Sequence, residues 1–179
     1  MKKVIIALAV VLTAAITQAA AVTWSVSTVV DSKGDAAAAG WTVALYDAAT
    51  TFDIDKARAG ELAPLYTAET VVSTKGVASA MNSKVGSYAI GETVNAYVVV
   101  FNGSIDSATE YLVSAAKSAT VGDAGKDITL AFGSMTSTAA ASAFAGATWK
   151  DAGGVPEPTS GLLLLVGGAM LALRRRRRA

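Results

Sequence analysis

Apolar and polar residues alternate through most of the middle of the chain. Val22-Thr23-Trp24-Ser25-Val26-Ser27 puts Val22, Trp24 and Val26 on one face and hydroxyls on the other, the two-residue period of a half-buried strand. Trp41, Val43 and Leu45 repeat that pattern; Trp24 and Trp41 are thereby assigned to a core, while Tyr46, out of phase with Trp41, is expected at the surface. Asn95 to Phe101 is apolar on both faces and suits a central strand covered from two sides. Asp127 to Phe132 alternates with Ile128, Leu130 and Phe132 inward, and Ser87–Ile90, Glu110–Val113 and Phe144–Trp149 are shorter candidates. β-branched and aromatic residues fill these runs, and Gly, Asn, Asp and Ser separate them.

One helix is predicted from Ile54 to Leu62, behind the capping side chains of Thr51-Phe52-Asp53; Gly60 weakens it and Pro64 blocks its continuation. The alanine-rich stretches Asp35–Gly40 and Thr136–Ala145 have helix propensity but no amphipathic stripe, and read as loops or single turns. The expected fold class is all-β: an antiparallel, Greek-key-like β-sandwich with at most one or two short helices, flanked by an N-terminal signal helix and a C-terminal transmembrane helix. An α+β domain, with the alanine-rich segments packed as helices on one sheet, is the alternative.

The two ends depart from this pattern. Met1-Lys2-Lys3 is a short positive region, Val4 to Ile16 is apolar apart from Thr13, and Thr17-Gln18-Ala19-Ala20-Ala21 supplies small residues. Charge, length and cleavage context are those of a secretory signal peptide over residues 1–21. The expected cut follows Ala21, with Ala19 and Ala21 as the two small residues; a cut after Ala19 is the second choice. At the other end, Pro156-Glu157-Pro158 precedes Gly161–Leu173, which has no polar side chain, and then Arg174, Arg175, Arg176, Arg177 and Arg178. As a helix, residues 159–173 would be about 22 Å long, short against a hydrocarbon core of roughly 30 Å. The arginines can snorkel to the headgroups, and five in a row favour the cytoplasmic side, where they act as a membrane stop.

Pro156-Glu157-Pro158, a short apolar helix rich in Leu, Gly and Ala, and a terminal arginine cluster resemble a PEP-CTERM sorting signal. The resemblance covers only about the last 25 residues, where all three parts occur in order. The same tail is also named the ice-binding protein C-terminal domain, a label that says nothing about ice here. The resemblance implies an exosortase, a membrane-embedded transpeptidase-like enzyme of Gram-negative bacteria, as a partner. It implies cleavage near Pro156-Glu157-Pro158, release from the inner membrane, and transfer to the cell surface or an extracellular matrix. Members of the family commonly accompany exopolysaccharide and biofilm systems. The expected organisation is a signal peptide (1–21), a secreted β-domain (22–150), a flexible spacer with the Pro-Glu-Pro motif (151–158), a transmembrane helix (159–173) and a basic cytoplasmic tail (174–179).

Composition narrows the chemistry. There is no cysteine and no histidine among 179 residues. That removes disulfides, thiolate nucleophiles, the commonest general base, and zinc sites built on His or Cys. The formal net charge of +1 hides an asymmetry: all 14 acidic residues lie between Asp31 and Glu157, against eight basic ones in that stretch, for a net −6. Nucleic acid is not an expected partner for such a body, because phosphates need a basic footprint.

Carboxylate-pair hydrolysis remains open to Glu61, Glu69, Glu92 and Glu110, but nothing in their spacing joins any two. Ser83-Lys84 is weaker as a dyad, since neighbours in an extended segment point to opposite faces. Asp31-Ser32-Lys33-Gly34-Asp35 and Asp53-Ile54-Asp55 are candidate calcium ligands, yet turn chemistry and helix capping explain them more simply. No catalytic residue, metal site or cofactor is therefore expected, and the chain is not read as an enzyme. Trp24, Trp41 and Trp149, with Tyr46, Tyr66, Tyr88, Tyr97 and Tyr111, raise the alternative of a carbohydrate-binding module on a flat aromatic platform. The leading expectation is an exported structural or adhesive protein, with signal peptidase, the exosortase-like enzyme, transiently the inner membrane, and polysaccharide as partners.

Overall fold

The computed structural model describes residues 20–122, 126–137, 139 and 142–153, with the backbone alone at 82–85. In chain order these form β1 (Ala20–Val29), β2 (Thr42–Asp47), α1 (Ile54–Arg58), β3 (Tyr66–Glu69), β4 (Val71–Val72), β5 (Ala78–Tyr88), β6 (Thr93–Phe101), β7 (Glu110–Val113), β8 (Lys117–Thr120), β9 (Ile128–Ser134) and β10 (Lys150–Asp151). The chain is thus mostly β, with two sheets and one short helix. One sheet runs β4-β5-β1-β9 and the other β10-β7-β6-β2-β3, with β8 also paired to β6. Every pairing is antiparallel except β1 with β9, which is parallel. That exception corrects the wholly antiparallel expectation. β9 follows β8 of the other sheet, so no tight hairpin dictates its direction.

The alternation works as the sequence implies. Val22, Trp24 and Val26 of β1, Val43 and Leu45 of β2, Val98 and Val100 of β6, and Leu130 and Phe132 of β9 build one core from both sheets. Fully burying such a side chain contributes roughly 1.5–3 kcal/mol each. The other face of β2 and β6 is buried as well: Ala44, Tyr46, Tyr97, Val99 and Phe101 form a second cluster, covered by Phe52, Ile54 and Leu62 around α1 and by Ile105 and Ala108. This cover is why Asn95–Phe101 is apolar on both sides. It also corrects the surface placement of Tyr46, which is 0% exposed.

Two buried polar residues sit where strand runs are interrupted. β3 and β4 are one run of chain that changes sheet at Thr70, which is 2% exposed. Its hydroxyl donates to the Ala38 carbonyl (2.6 Å) and accepts from the Trp41 N–H (2.9 Å), so the buried oxygen is satisfied in both roles. β7 and β8 lie along the same edge of β6 and are separated at Ser114. There the Ser114 hydroxyl accepts from the Val98 N–H at 3.0 Å while the Ser114 N–H donates to the Val98 carbonyl at 2.9 Å.

Several boundaries differ from the sequence expectation. Residues 144–146 form a turn rather than a strand, and Trp149 instead packs edge-on against Trp41, with ring centroids 6.0 Å apart. Ser87–Ile90 is the end of the much longer β5 followed by a turn, with Ile90 52% exposed. The helix stops at Arg58 rather than Leu62. Asp151 belongs to β10 and Ala152 is buried, although both were expected in the spacer. Ala19, Pro156, Glu157, Pro158, residues 159–173 and Arg174–Arg178 lie outside the described residues. Among the described residues, no helix is long and apolar enough to cross a membrane.

Candidate functional site

One polar cluster among the described residues, around Arg58, draws together chain segments up to Gly153. It is assembled from three local pieces. Asp53 caps α1, its carboxylate accepting from the Asp55 and Lys56 N–H groups at 3.0 and 3.1 Å. Ile54 seats that short helix on the second apolar cluster, which leaves Arg58 in the last turn facing the chain end. The loop after β6 is stiffened by Asn102. Its side-chain oxygen accepts from the Thr109 and Glu110 N–H groups (2.9 and 3.0 Å), and its amide donates to the Thr109 hydroxyl (2.8 Å). The third piece is β10, where Lys150 and Asp151 pair with Tyr111 and Glu110 of β7.

Arg58 ties the three together. Its guanidinium donates to the carbonyls of Ala108 (2.6 Å) and Ala152 (2.6 Å), with longer bonds to Ile105 (3.3 Å) and Gly153 (3.5 Å). The planar fork can serve several carbonyls from one position, which a lysine ammonium cannot do equally well. The Ala152 N–H donates to the Thr109 carbonyl (2.8 Å), and the Gly153 N–H to the Asp151 carboxylate (2.8 Å). The chain is therefore held up to Gly153. Three residues further on stands Pro156, at most about 10 Å along a fully extended chain. Sequence reasoning passes over Arg58, although one sign was available: it is the only arginine before Arg174.

The other candidate residues are scattered. The Asp31 carboxylate accepts from the Lys33 and Asp35 N–H groups (2.9 and 2.8 Å) and so closes its own turn, as Asp53 caps its helix. Among the described residues no group of three or more acidic side chains could hold a metal ion. Glu69 on β3 and Glu110 on β7 are separated by β2 and β6, so their backbones stand about three strand spacings, ~14 Å, apart. Glu92 caps the turn before β6, accepting from the Ala89 N–H (2.9 Å), at the other end of the sheet. Glu110 accepts from the Ser32 hydroxyl (3.0 Å). The side chains of Ser83 and Lys84 lie outside the described part of the molecule. Ala21 lies within β1, its N–H donating to the Asp127 carboxylate (3.1 Å).

The three tryptophans do not form a flat platform. Trp24 and Tyr46 are fully buried and Tyr97 nearly so. Trp41 and Trp149 are half-buried with their planes at 83°. Tyr46 and Tyr97 stack at 5.8 Å inside the second cluster, and the Tyr46 phenol oxygen has no hydrogen-bond partner. Burial, helped by the neighbouring Tyr97, pushes the Tyr46 phenol up to about 12. Burial also raises Tyr97, against the downward pull of the nearby Thr50 hydroxyl. Tyr111 rises through burial and the charges of Asp53 and Asp55, and Tyr88 through burial, Tyr66 and the charges of Glu92 and Asp47. These phenols stay protonated at neutral pH and are packing groups, not bases. Compared with family models, curated proteins and solved structures, the chain has no match.

Proposed function

We propose that this chain is an exported surface or matrix protein sorted by an exosortase-type system, with a structural or adhesive role alongside exopolysaccharide or biofilm. The observation that carries the reading is the order of parts at the C-terminus: Pro156-Glu157-Pro158, then an apolar stretch, then Arg174–Arg178, together with residues 1–21, whose charge and apolar run support an export leader. In this reading residues 1–21 direct export and signal peptidase removes them. Residues 159–173 hold the precursor in the inner membrane of a Gram-negative bacterium with the arginines inside. The sorting enzyme then cuts at Pro156-Glu157-Pro158 and the body leaves for the surface.

The Arg58 clasp supports this division of labour. It holds the chain as far as Gly153, three residues before the cleavage motif in the sequence. Two connections that pass from one sheet to the other, β1 to β2 and β5 to β6, support reading the two sheets as a Greek-key-like sandwich. A non-enzymatic role fits a chain without histidine or cysteine whose best-placed acids are engaged in turns and caps. Mass spectrometry of the protein recovered outside the cell tests the reading. A C-terminus near residues 156–158 is the expected result; recovery with Arg174–Arg178 intact rejects it.

A further inference from the structure

The hairpin of β4 and β5 carries an inference that goes beyond sorting and does not depend on it. Six large apolar side chains are exposed among the described residues, and four of them, Val71, Val72, Val77 and Met81, lie on this hairpin. Val71 and Met81 are 67% and 65% exposed. Val71 pairs with Ser79, two residues from Met81, so both stand on the outer face of the first sheet, away from the core residues Ala78 and Ala80. Apolar surface gathered in this way marks an interaction site, which scattered single residues do not.

Among the described residues β4 is also an open edge: it pairs with β5 on one side and ends its sheet on the other. The ladder fixes which backbone groups face outward. The Ser73 N–H donates to the Val77 carbonyl (2.9 Å), so by alternation the Val71–Ser79 pair is of the hydrogen-bonded kind and the Val72–Ala78 pair is not. The Val72 N–H and carbonyl therefore point away from β5. Thr70 points the same way, but its groups are taken: its N–H donates to the Trp41 carbonyl (2.9 Å) and its carbonyl accepts from the Gly40 N–H (3.0 Å). Beyond Val72 the chain turns, the Gly76 N–H donating back to the Ser73 carbonyl (2.9 Å). One rung of ladder, at Val72, is left open between a covered residue and a turn.

We infer that two copies of the chain join at this edge, antiparallel, with a two-fold axis at Val72. Each Val72 N–H then donates to the carbonyl of the partner's Val72, the reciprocal exchange that one rung allows. The two Val71 side chains become diagonal neighbours on the outer face, roughly 7–8 Å apart, with a Met81 on either side. The charges argue for a second copy as the occupant. Glu69 lies three residues before Val72 and Lys75 three after, and both are exposed. An antiparallel copy sets each Glu69 beside the partner's Lys75, whereas a parallel one would set like charges together. Elsewhere the stretch from Asp31 to Glu157 is net −6, so most contacts between two copies would oppose acid to acid. A longer strand from another protein gains no further rung, because residues 40 and 41 already take the groups of Thr70. Ala38, Ala39 and Gly40 are small and exposed, which leaves room for the partner's turn.

Sedimentation of the full chain in mild detergent, from micromolar to millimolar concentration, tests the pairing. A monomer–dimer equilibrium is expected. Val72→Pro removes an outward N–H and no bond within the fold, the placement that sheet edges tolerate. It should raise the dissociation constant at least roughly tenfold and leave the circular dichroism spectrum unchanged. Glu69→Lys and Lys75→Glu, each alone, set like charges together and should raise it roughly three- to tenfold. Mixed in equal amounts, these two variants pair opposite charges at both positions and should dimerise as tightly as the unaltered chain. That recovery is independent of how Val72→Pro folds, and a merely misfolded variant would not give it. A chain that stays monomeric throughout leaves the edge to another occupant and overturns the inference. So does a dimer indifferent to Val72→Pro, or a mixture no tighter than its components.

Discussion

β1 contributes Val22, Trp24 and Val26 to the main core and is paired on both sides, whereas β10 contributes two exposed residues and is paired on one. The first strand is held by burial and the last by hydrogen bonds. Trp24 at 0% exposure cannot leave without opening the core between the sheets. Lys150 and Asp151 are tied through Arg58, which reaches the carbonyls of Ala152 and Gly153 from α1. The ends also lie at opposite poles. Ala20 pairs with Tyr88, just before the turn into β6, and Lys150 pairs with Tyr111, opposite Phe101 at the far end of β6. β6 has nine residues, so the poles stand about 30 Å apart. A body attached through its tail would hold its first strand on the side away from the attachment. Processing at the tail would cost the fold little, and intrusion into the first strand would cost it much.

Substitutions that attack this contrast differ in size. Trp24→Ala opens a cavity in the shared core and should cost about 3–5 kcal/mol, enough to unfold much of the population, as urea titration followed by circular dichroism would record. Arg58→Ala removes a charged donor from carbonyls in two loops and should cost about 1–3 kcal/mol, with Arg58→Lys recovering only part of it. Limited proteolysis should then cut around residues 150–153 well before β1. If Arg58→Ala proved as damaging as Trp24→Ala, the contrast between the two ends would be gone.

The outer aromatic layer, together with Tyr88 beside the main core, predicts a dependence on alkaline pH. Unfolded tyrosines lose their proton near pH 10, while the folded Tyr46 keeps it to about 12 and Tyr88, Tyr97 and Tyr111 are shifted the same way. The native state therefore binds more protons than the unfolded state above pH 10. The stabilisation is complete below pH 10 and is lost as the pH climbs towards 12. Melting temperatures measured from pH 8 upward should hold level and then fall. Tyr46→Phe should blunt the fall and leave stability at neutral pH unchanged or up to about 1 kcal/mol higher, because the buried hydroxyl has no partner to lose. The smallest effect belongs to the tail: ending the chain after Gly153 keeps every carbonyl that Arg58 binds, and stability should stay within about 0.5 kcal/mol.

The strands with a strong two-residue period were legible from the residues alone. β7 matches its expected span, and β1, β2, β6 and β9 differ only at their ends. β5 was mostly missed because Ala78-Ser79-Ala80-Met81-Asn82-Ser83-Lys84-Val85-Gly86 offers little hydrophobic contrast. Its inward residues Ala78 and Ala80 are small and lie in the core cluster that holds Trp24. Gly86, at φ +71°, takes up the extra residue between the Val22–Val85 and Ala20–Tyr88 pairs, and an added Cβ there would stand 2.7 Å from the Tyr88 ring and 2.9 Å from the Tyr66 hydroxyl. β10 has two residues and exists only because β7 is beside it. The chain-exit site was invisible for a similar reason. Carbonyls carry no side-chain signature, so nothing in the residues named Ala108, Ala152 and Gly153 as partners of Arg58.

By itself the sequence determined the β-rich class, the inward faces of the main strands, the missing cysteine and histidine chemistry, and the two unlike ends. Those properties are local: each depends on a residue's own side chain and its close neighbours in the chain. Only the tertiary structure decided that β9 runs parallel to β1, that Tyr46 is covered, and that Arg58 meets a segment almost a hundred residues away. Such arrangements come from which surfaces and backbone groups must be shielded or paired once the two sheets meet. Hydrophobic periodicity says which side of a strand turns inward, but not what arrives to cover the other side.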